Sequence, residues 1–171
     1  MHKGIRSKSV SLVILFLVLV ASTLLMAGCG GDTSTSPTPT LTSPSGSYTD
    51  NGNGTVTDNR TGLLWQQGEP GIMTWFDAMT YCDNLALGGY TDWLLPNITE
   101  LESIIDNSKY NPAIDTTYFP NAYANYYWSS TTAYFYNTFN AGSVYFLDGY
   151  VYYLSLSRPY KYYVRCTRGG Q

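Results

Sequence analysis

The chain has 171 residues, of which 44% are hydrophobic, 16% aromatic and only 12% charged, with nine basic and twelve acidic side chains and a single histidine. Lys3, Arg6 and Lys8 precede an apolar run from Val10 to Met26, the layout of an export signal, so the processed chain would carry 9 − 3 = 6 basic groups against 12 acidic ones, a balance of −6. That balance, with no basic run, makes the chain a poor partner for nucleic acid, and losing His2 with the signal excludes histidine triads, histidine metal sites and imidazole acid–base catalysis.

Residues 1–28 read as a lipoprotein signal peptide. In Leu25-Met26-Ala27-Gly28-Cys29, small residues stand before a cysteine directly after the apolar run. The pattern resembles a bacterial lipoprotein signal, which implies a lipid on Cys29 and attachment to a membrane through it. Gly30 stands where an aspartate would favour inner-membrane retention, so the outer membrane or cell surface is expected. Residues 29–47 form a tether rich in Ser, Thr, Pro and Gly, too polar to bury a core. Its eighteen residues from Gly30 to Ser47 give a reach of roughly 20–30 Å.

Residues 48–171 form one domain. Tyr48 to Asp50 and Thr55 to Asp58 flank Asn51-Gly52-Asn53-Gly54, a hairpin signal, because Asn and Gly accept positive φ. The segment has a faint likeness to a calcium loop, but glycine occupies the third ligand position, so calcium lacks a complete ligand set and no cofactor is expected. Leu63-Leu64-Trp65 reads as a buried strand. Thr74 to Leu87 reads as the first helix, with Thr74 as N-cap, Cys82 on the apolar face and Gly88-Gly89 as the stop. Tyr90 to Leu95 reads as extended, in part because the residue before Pro96 is held out of the helical region. Asn97 and Glu100 make a capping-box signature for a second helix that ends near Asn107.

Lys109 to Asn125 is a long irregular stretch, of the kind that is functional or pinned by its own aromatic side chains. Tyr126 to Thr131 is strand-like. Ser143–Leu147 and Tyr150–Leu154 around Asp148-Gly149 read as a hairpin with a type I′ turn. A last strand, Tyr160 to Arg168, carries Cys166. Helices first and antiparallel strands afterwards place the domain in the α+β class. With Cys29 lipidated, Cys82 and Cys166 remain as an even pair in an exported chain, read as a disulfide; two buried thiols are the alternative.

These blocks together carry a resemblance. Asp50 to Asn59, Thr61-Gly62-Leu63-Leu64-Trp65, Asp92-Trp93-Leu94-Leu95-Pro96 with Glu100-Leu101, Tyr127 to Thr131, and Val164 to Gly170 resemble, in order, the Lcl C-terminal domain family, named for the C-terminal domain of a bacterial collagen-like adhesin. The resemblance implies a C-type-lectin-like fold, two helices on antiparallel sheet with a Tyr-rich C-terminal hairpin, and a bridge from the first helix to the last strand. It also implies an exported surface protein with an adhesive role. The polyanion binding of the namesake does not carry over to a chain at −6, nor are the Glu-Pro-Asn and Trp-Asn-Asp sugar motifs of calcium-dependent lectins present. In these successive blocks, Asp92, Trp93, Pro96, Glu100 and Trp128 read as structural, with Trp65 and Trp75 also expected in the core. Arg165 or a backbone amide is the expected partner of Asp92.

Little remains for catalysis. Carboxylate pairs such as Asp92 with Glu100, or Asp115 with Asp148, read as caps, turns or surface charge, so the chain is expected not to be an enzyme. Of the seventeen tyrosines, thirteen lie between Tyr118 and Tyr163. Alternation puts Tyr145, Tyr150 and Tyr152 on one sheet face, where they serve a glycan or protein partner or simply stabilise the sheet. With Tyr160 and Arg158 they are the candidate ligand residues. Arg158, Lys161, Arg165 and Arg168 form a candidate basic strip. The expected function is non-enzymatic binding at the cell surface, with structural docking in the envelope as the alternative and a carboxylate-based hydrolase third.

Overall fold

In a computed structural model the described residues are 47–169. The signal segment, Cys29 and the tether as far as residue 46 lie outside them. The N-terminal hairpin forms as expected from β1 (Tyr48–Asp50) and β2 (Thr55–Asp58), paired in register from Tyr48↔Asp58 to Asp50↔Val56. Asp50 Oδ1 accepts the Gly52 amide at 2.8 Å inside the turn, and Oδ2 accepts Gln67 Nε2 at 3.0 Å. Asp58 is fully buried under Arg60, whose Nη2 lies 3.2 Å from Oδ2. The two carboxylates of the calcium-like loop are thus engaged in the fold.

Strand β3 (Leu64–Gln66) pairs with β2, and β4 (Ile72–Met73) follows it. Helix α1 covers Trp75–Asp83, with the Thr74 hydroxyl accepting the Asp77 amide. It stops short of the expected Leu87 because Asn84 turns its side chain back to the Thr80 carbonyl, at 2.8 Å, and closes the helix. Gly88-Gly89 lies beyond that stop. With φ of 62° and 87° the pair forms a tight turn in which Leu87 and Tyr90 exchange both backbone bonds, at 3.0 and 3.1 Å. A Cβ on Gly88 would stand 2.8 Å from Thr55 Cγ2, so the turn also packs against the hairpin. The expected strand at 90–95 reduces to isolated bridges, Leu87↔Tyr90 in this turn and Leu94↔Thr167.

Helix α2 is Ile98–Ser103, shorter than expected, since Ile104 is its C-cap and Asp106 draws the following backbone into a turn through the Ser108 amide. Its capping box is present, with the Glu100 amide donating to Asn97 Oδ1 at 2.9 Å and the Asn97 amide to Glu100 Oε2 at 2.8 Å. The stretch from 109 to 125 has neither helix nor strand and is pinned by buried Ala113, Ile114 and Phe119.

Strands β5 (Tyr126–Phe135) and β6 (Thr138–Tyr145) form a long hairpin. Its two linking residues, Tyr136 and Asn137, have φ of 52° and 57°, the positive values that a type I′ turn requires. β7 (Tyr150–Ser155) pairs with β6 from Tyr145↔Tyr150 to Asn140↔Ser155. Here the expected type I′ turn at Asp148-Gly149 is replaced by a four-residue link, Phe146 to Gly149, in which Gly149 alone has positive φ. The expected strand 160–168 divides into β8 (Tyr162–Tyr163) and β9 (Thr167–Arg168), with Cys166 between them.

The result is an α+β domain with two sheets, ordered β1-β2-β3-β9 and β4-β8-β5-β6-β7. One pair, β5 with β8, is parallel at Tyr127↔Tyr163 where antiparallel sheet is expected throughout. Tyr127 and Trp128, adjacent in β5, face opposite sides of the larger sheet and each enters a separate core. The first core joins Tyr127, Val144 and Phe146 to Leu101 of α2 and its C-cap Ile104, and to Val56 and Trp65 of the smaller sheet. The second joins Trp128 to Ala78 and Cys82 of α1, to Trp93 and Leu95, and to Val164 and Cys166. Cys82 and Cys166 are disulfide-bonded, with Cα atoms 5.6 Å apart.

Candidate ligand-binding face

The β5–β6–β7 registers align Tyr126, Tyr145 and Tyr150 across the sheet, with Tyr152 two residues along β7 on the same face. Tyr126 is the centre of the group. It stacks on Tyr145 at 4.4 Å, meets Tyr152 edge-on at 5.3 Å and leans on Tyr162 at 5.0 Å. Tyr162 in turn touches Trp128 at 4.9 Å and stacks on Tyr160 at 5.8 Å. Such ring pairs favour offset and edge-on geometry through their quadrupoles, which fixes the rings relative to one another before any ligand arrives.

Of the sequence candidates, Tyr145, Tyr152 and Tyr160 lie in this ladder, and Tyr150 stands beside it, 67% exposed. Arg158 is exposed at its far end, with Nη1 3.4 Å from the Tyr160 hydroxyl. Burial raises the Tyr126 and Tyr162 phenol pKa values above the ordinary value, and neighbouring phenols add to the shift. Both phenols therefore remain protonated at neutral pH and can donate as well as accept.

The ladder runs into a groove that sequence reading misses. Trp75 and Phe76 at the start of α1 face Phe139 and Leu156 across a cavity of about 540 Å³, edged by Thr132, Asn137, Thr138 and Ser157. A smaller cleft of about 240 Å³ shares Trp75, Phe76, Leu156 and Ser157 and continues to Trp128 and Tyr160. Arg158 is the single charged residue among those lining the two. Trp75 is partly buried and packs on the rim of the second core while also lining the groove; its Nε1 donates to the Ser129 carbonyl at 2.7 Å and holds the ring on the groove wall. Phe76 and Phe139 are each 65% exposed. The sequence signal for Phe76 is its place next to Trp75, off the helix's buried face. No local pattern announces Phe139, because the hairpin that presents it depends on Tyr136 and Asn137.

The basic strip does not form. Arg165 is fully buried, with Nη1 donating to the Gln66 and Gln67 carbonyls at 2.6 and 2.8 Å, its guanidinium 4.6 Å over Phe119, and Nη2 paired with Glu69. Glu69 also accepts the Tyr127 hydroxyl at 2.8 Å. Burial raises the Glu69 carboxyl pKa, while Arg165 and Tyr127 pull it back. Arg168 makes two bonds to Asp92, at 2.7 and 2.9 Å, and lies 3.7 Å over the Tyr90 ring. Arg168, not Arg165, is thus the partner of Asp92. Trp93, Trp128 and Trp65 are buried, Pro96 accepts the Ser130 amide through its carbonyl, and Glu100 serves the helix cap. Of the carboxylate pairs, Asp115 bonds to Lys109 at 3.0 Å and Asp148 accepts the Tyr150 amide at 3.2 Å. Among the described residues no cluster of three or more His, Cys, Asp or Glu is placed to hold a metal ion.

The family model described as the Lcl C-terminal domain matches residues 54–168, which includes the ladder, the groove and the Arg165 network. No curated protein matches the chain.

Proposed function

Because the chain belongs to the Lcl C-terminal domain family, a membership that suggests a surface, adhesin-associated domain, we propose that it binds without catalysis and takes a glycan across the tyrosine ladder and the adjoining groove. The observation that carries this reading is the continuity of the two on one sheet face, from Tyr145 through Tyr126 and Tyr162 to Tyr160, Trp75 and Phe76. Flat ring faces suit the apolar face of a pyranose, and the hydroxyls and amide of Thr132, Thr138, Ser157 and Asn137 suit its edge. A nearly uncharged lining favours a neutral ligand over an acidic one.

The lipoprotein signal at Leu25 to Cys29 supports display on a lipid anchor at the outer membrane or cell surface. The bridge from α1 to the segment beside β9, and the return of β9 to β3 next to the N-terminal hairpin, support a lectin-like fold. Occupation of the carboxylates in caps and ion pairs supports the absence of hydrolysis.

A glycan array probed with the exported chain tests the reading. Binding to a defined set of neutral glycans, weakened at least tenfold by Phe76→Ala and Tyr152→Ala, is expected. A blank array, or hits indifferent to both substitutions, overturns it and leaves docking to an envelope protein as the stronger alternative.

A further inference from the structure

The β5–β6 hairpin outgrows its neighbours. β7 ends at Ser155, opposite Asn140, and β8 meets β5 only at Tyr127, so from Tyr134 to Phe139 the hairpin continues as a two-stranded ribbon. From Thr116 to Leu147 the chain has no charged residue, and the ribbon falls within that span. It carries aromatic rings on both faces and at its end. Tyr134 and Phe139 pair across one face, with rings 5.0 Å apart, and are 62% and 65% exposed. Alternation puts Phe135 on the other face, and Tyr136, 92% exposed, stands at the end.

Tyr136 is also held against its preference. At φ 52° it fills the first central position of the turn, where asparagine or glycine is the ordinary residue, and its ring meets only the edge of its own neighbour Phe135, at 5.5 Å. Packing inside the domain therefore does not account for an aromatic ring there. A protein partner covers one face of a ribbon, whereas rings on both faces and at the end suit immersion in a medium. Uncharged rings, several with a polar tip, settle at the boundary between lipid headgroups and acyl chains.

We propose that Tyr134, Tyr136 and Phe139 seat the domain in the interfacial layer of the bilayer that holds the lipid on Cys29, a seat that rests on the anchor read at that cysteine. A folded chain of the 123 described residues has a radius of gyration of about 14 Å. A tether reaching roughly 20–30 Å thus lets any side of the domain meet the bilayer, and holds the tip at high local concentration beside it. Phe139 also walls the groove, while Tyr134, Phe135 and Tyr136 line neither cleft.

The full chain, purified from cell membranes and reconstituted through its acyl chains in phosphatidylcholine vesicles, tests this. With Cys82 and Cys166 bridged and Cys29 acylated, Tyr136→Cys gives one free thiol for an environment-sensitive nitrobenzoxadiazole label. Its emission should shift to the blue and fall ~twofold when the lipid carries a nitroxide quencher just below the headgroup, equally at low and high salt because the tip has no charge. The same label on Tyr110→Cys, 69% exposed near the opposite end of β6, should stay water-like. Tyr136→Gly, which fits the positive φ, should keep or raise the urea midpoint and yet cut the quenching of a label at Tyr134→Cys ~twofold. A water-like label at 136 on an acylated chain, equal quenching at 136 and 110, a blue shift without quenching by lipid, or quenching at 134 indifferent to Tyr136→Gly overturns the seat alone. Mass spectrometry of Cys29 scores the anchor separately: a cysteine without acyl chains overturns the anchor, and the seat with it.

Discussion

Reduction of the Cys82–Cys166 bridge tests how the domain holds α1 to the segment between β8 and β9. The bridge spans 84 residues of chain, and the chain-entropy relation for a loop of that length gives a stabilisation of about 4.5 kcal/mol at 25 °C. Spread over the 123 described residues, an unfolding entropy of about 2.1 cal/mol/K per residue converts this to a fall in Tm of roughly 15–20 °C. Urea denaturation of oxidised and reduced protein, followed by circular dichroism and tryptophan fluorescence, measures the difference while keeping both sulfurs in the core. The entropy argument places the effect in the unfolded state, so the reduced protein should also show a larger m-value, its unfolded chain being less compact. A loss below about 1 kcal/mol, or a large loss with unchanged m-value and an altered near-ultraviolet spectrum, would refute it and assign the effect to native packing.

Arg165→Met keeps the stem over Phe119 but strands Glu69 and the Gln66 and Gln67 carbonyls in the interior, and should cost about 3–5 kcal/mol in urea denaturation. Asn97→Ala removes one half of the capping box of α2 and should cost about 1 kcal/mol by the same measurement. Burial pushes the Tyr48 phenol from 10.0 to about 12. The folded state thus holds that proton more tightly, and stability should be intact below pH 10 and fall as pH rises from 10 to 12. Tyr48→Phe should make that fall shallower in melting experiments across this range.

Much of the architecture is legible in the sequence because it rests on local chemistry. The Asn-Gly hairpin, the Thr74 and Asn97 caps and the Cys82–Cys166 pair each depend on residue types whose preferences act within a few positions or on an even cysteine count. Helix lengths are misread where short polar side chains intervene: Asn84 closes α1 and Asp106 draws the chain out of α2. The β5–β6 turn escapes a sequence reading because Tyr136 adopts positive φ, which tertiary pairing imposes against its own preference. Arg165 looks like surface charge because its counter-ion, Glu69, lies 96 residues away in the chain. The candidate ligand face divides in the same way. Strand alternation indicates Tyr145, Tyr150 and Tyr152, whereas Trp75, Phe76 and Phe139 meet only because α1 is laid against the β5–β6 hairpin.

The segment from Tyr162 to Arg168 supplies the second strand of one sheet and the fourth of the other, and between them the cysteine of the bridge. A chain leaving a ribosome or an export channel with its N-terminus first therefore cannot complete either sheet until this late segment has emerged. The ring faces and sheet edges it will help to organise are bare until then. Vectorial synthesis thus gives the domain a long unfinished interval, during which chaperone protection and delayed oxidation of Cys82 would decide its yield.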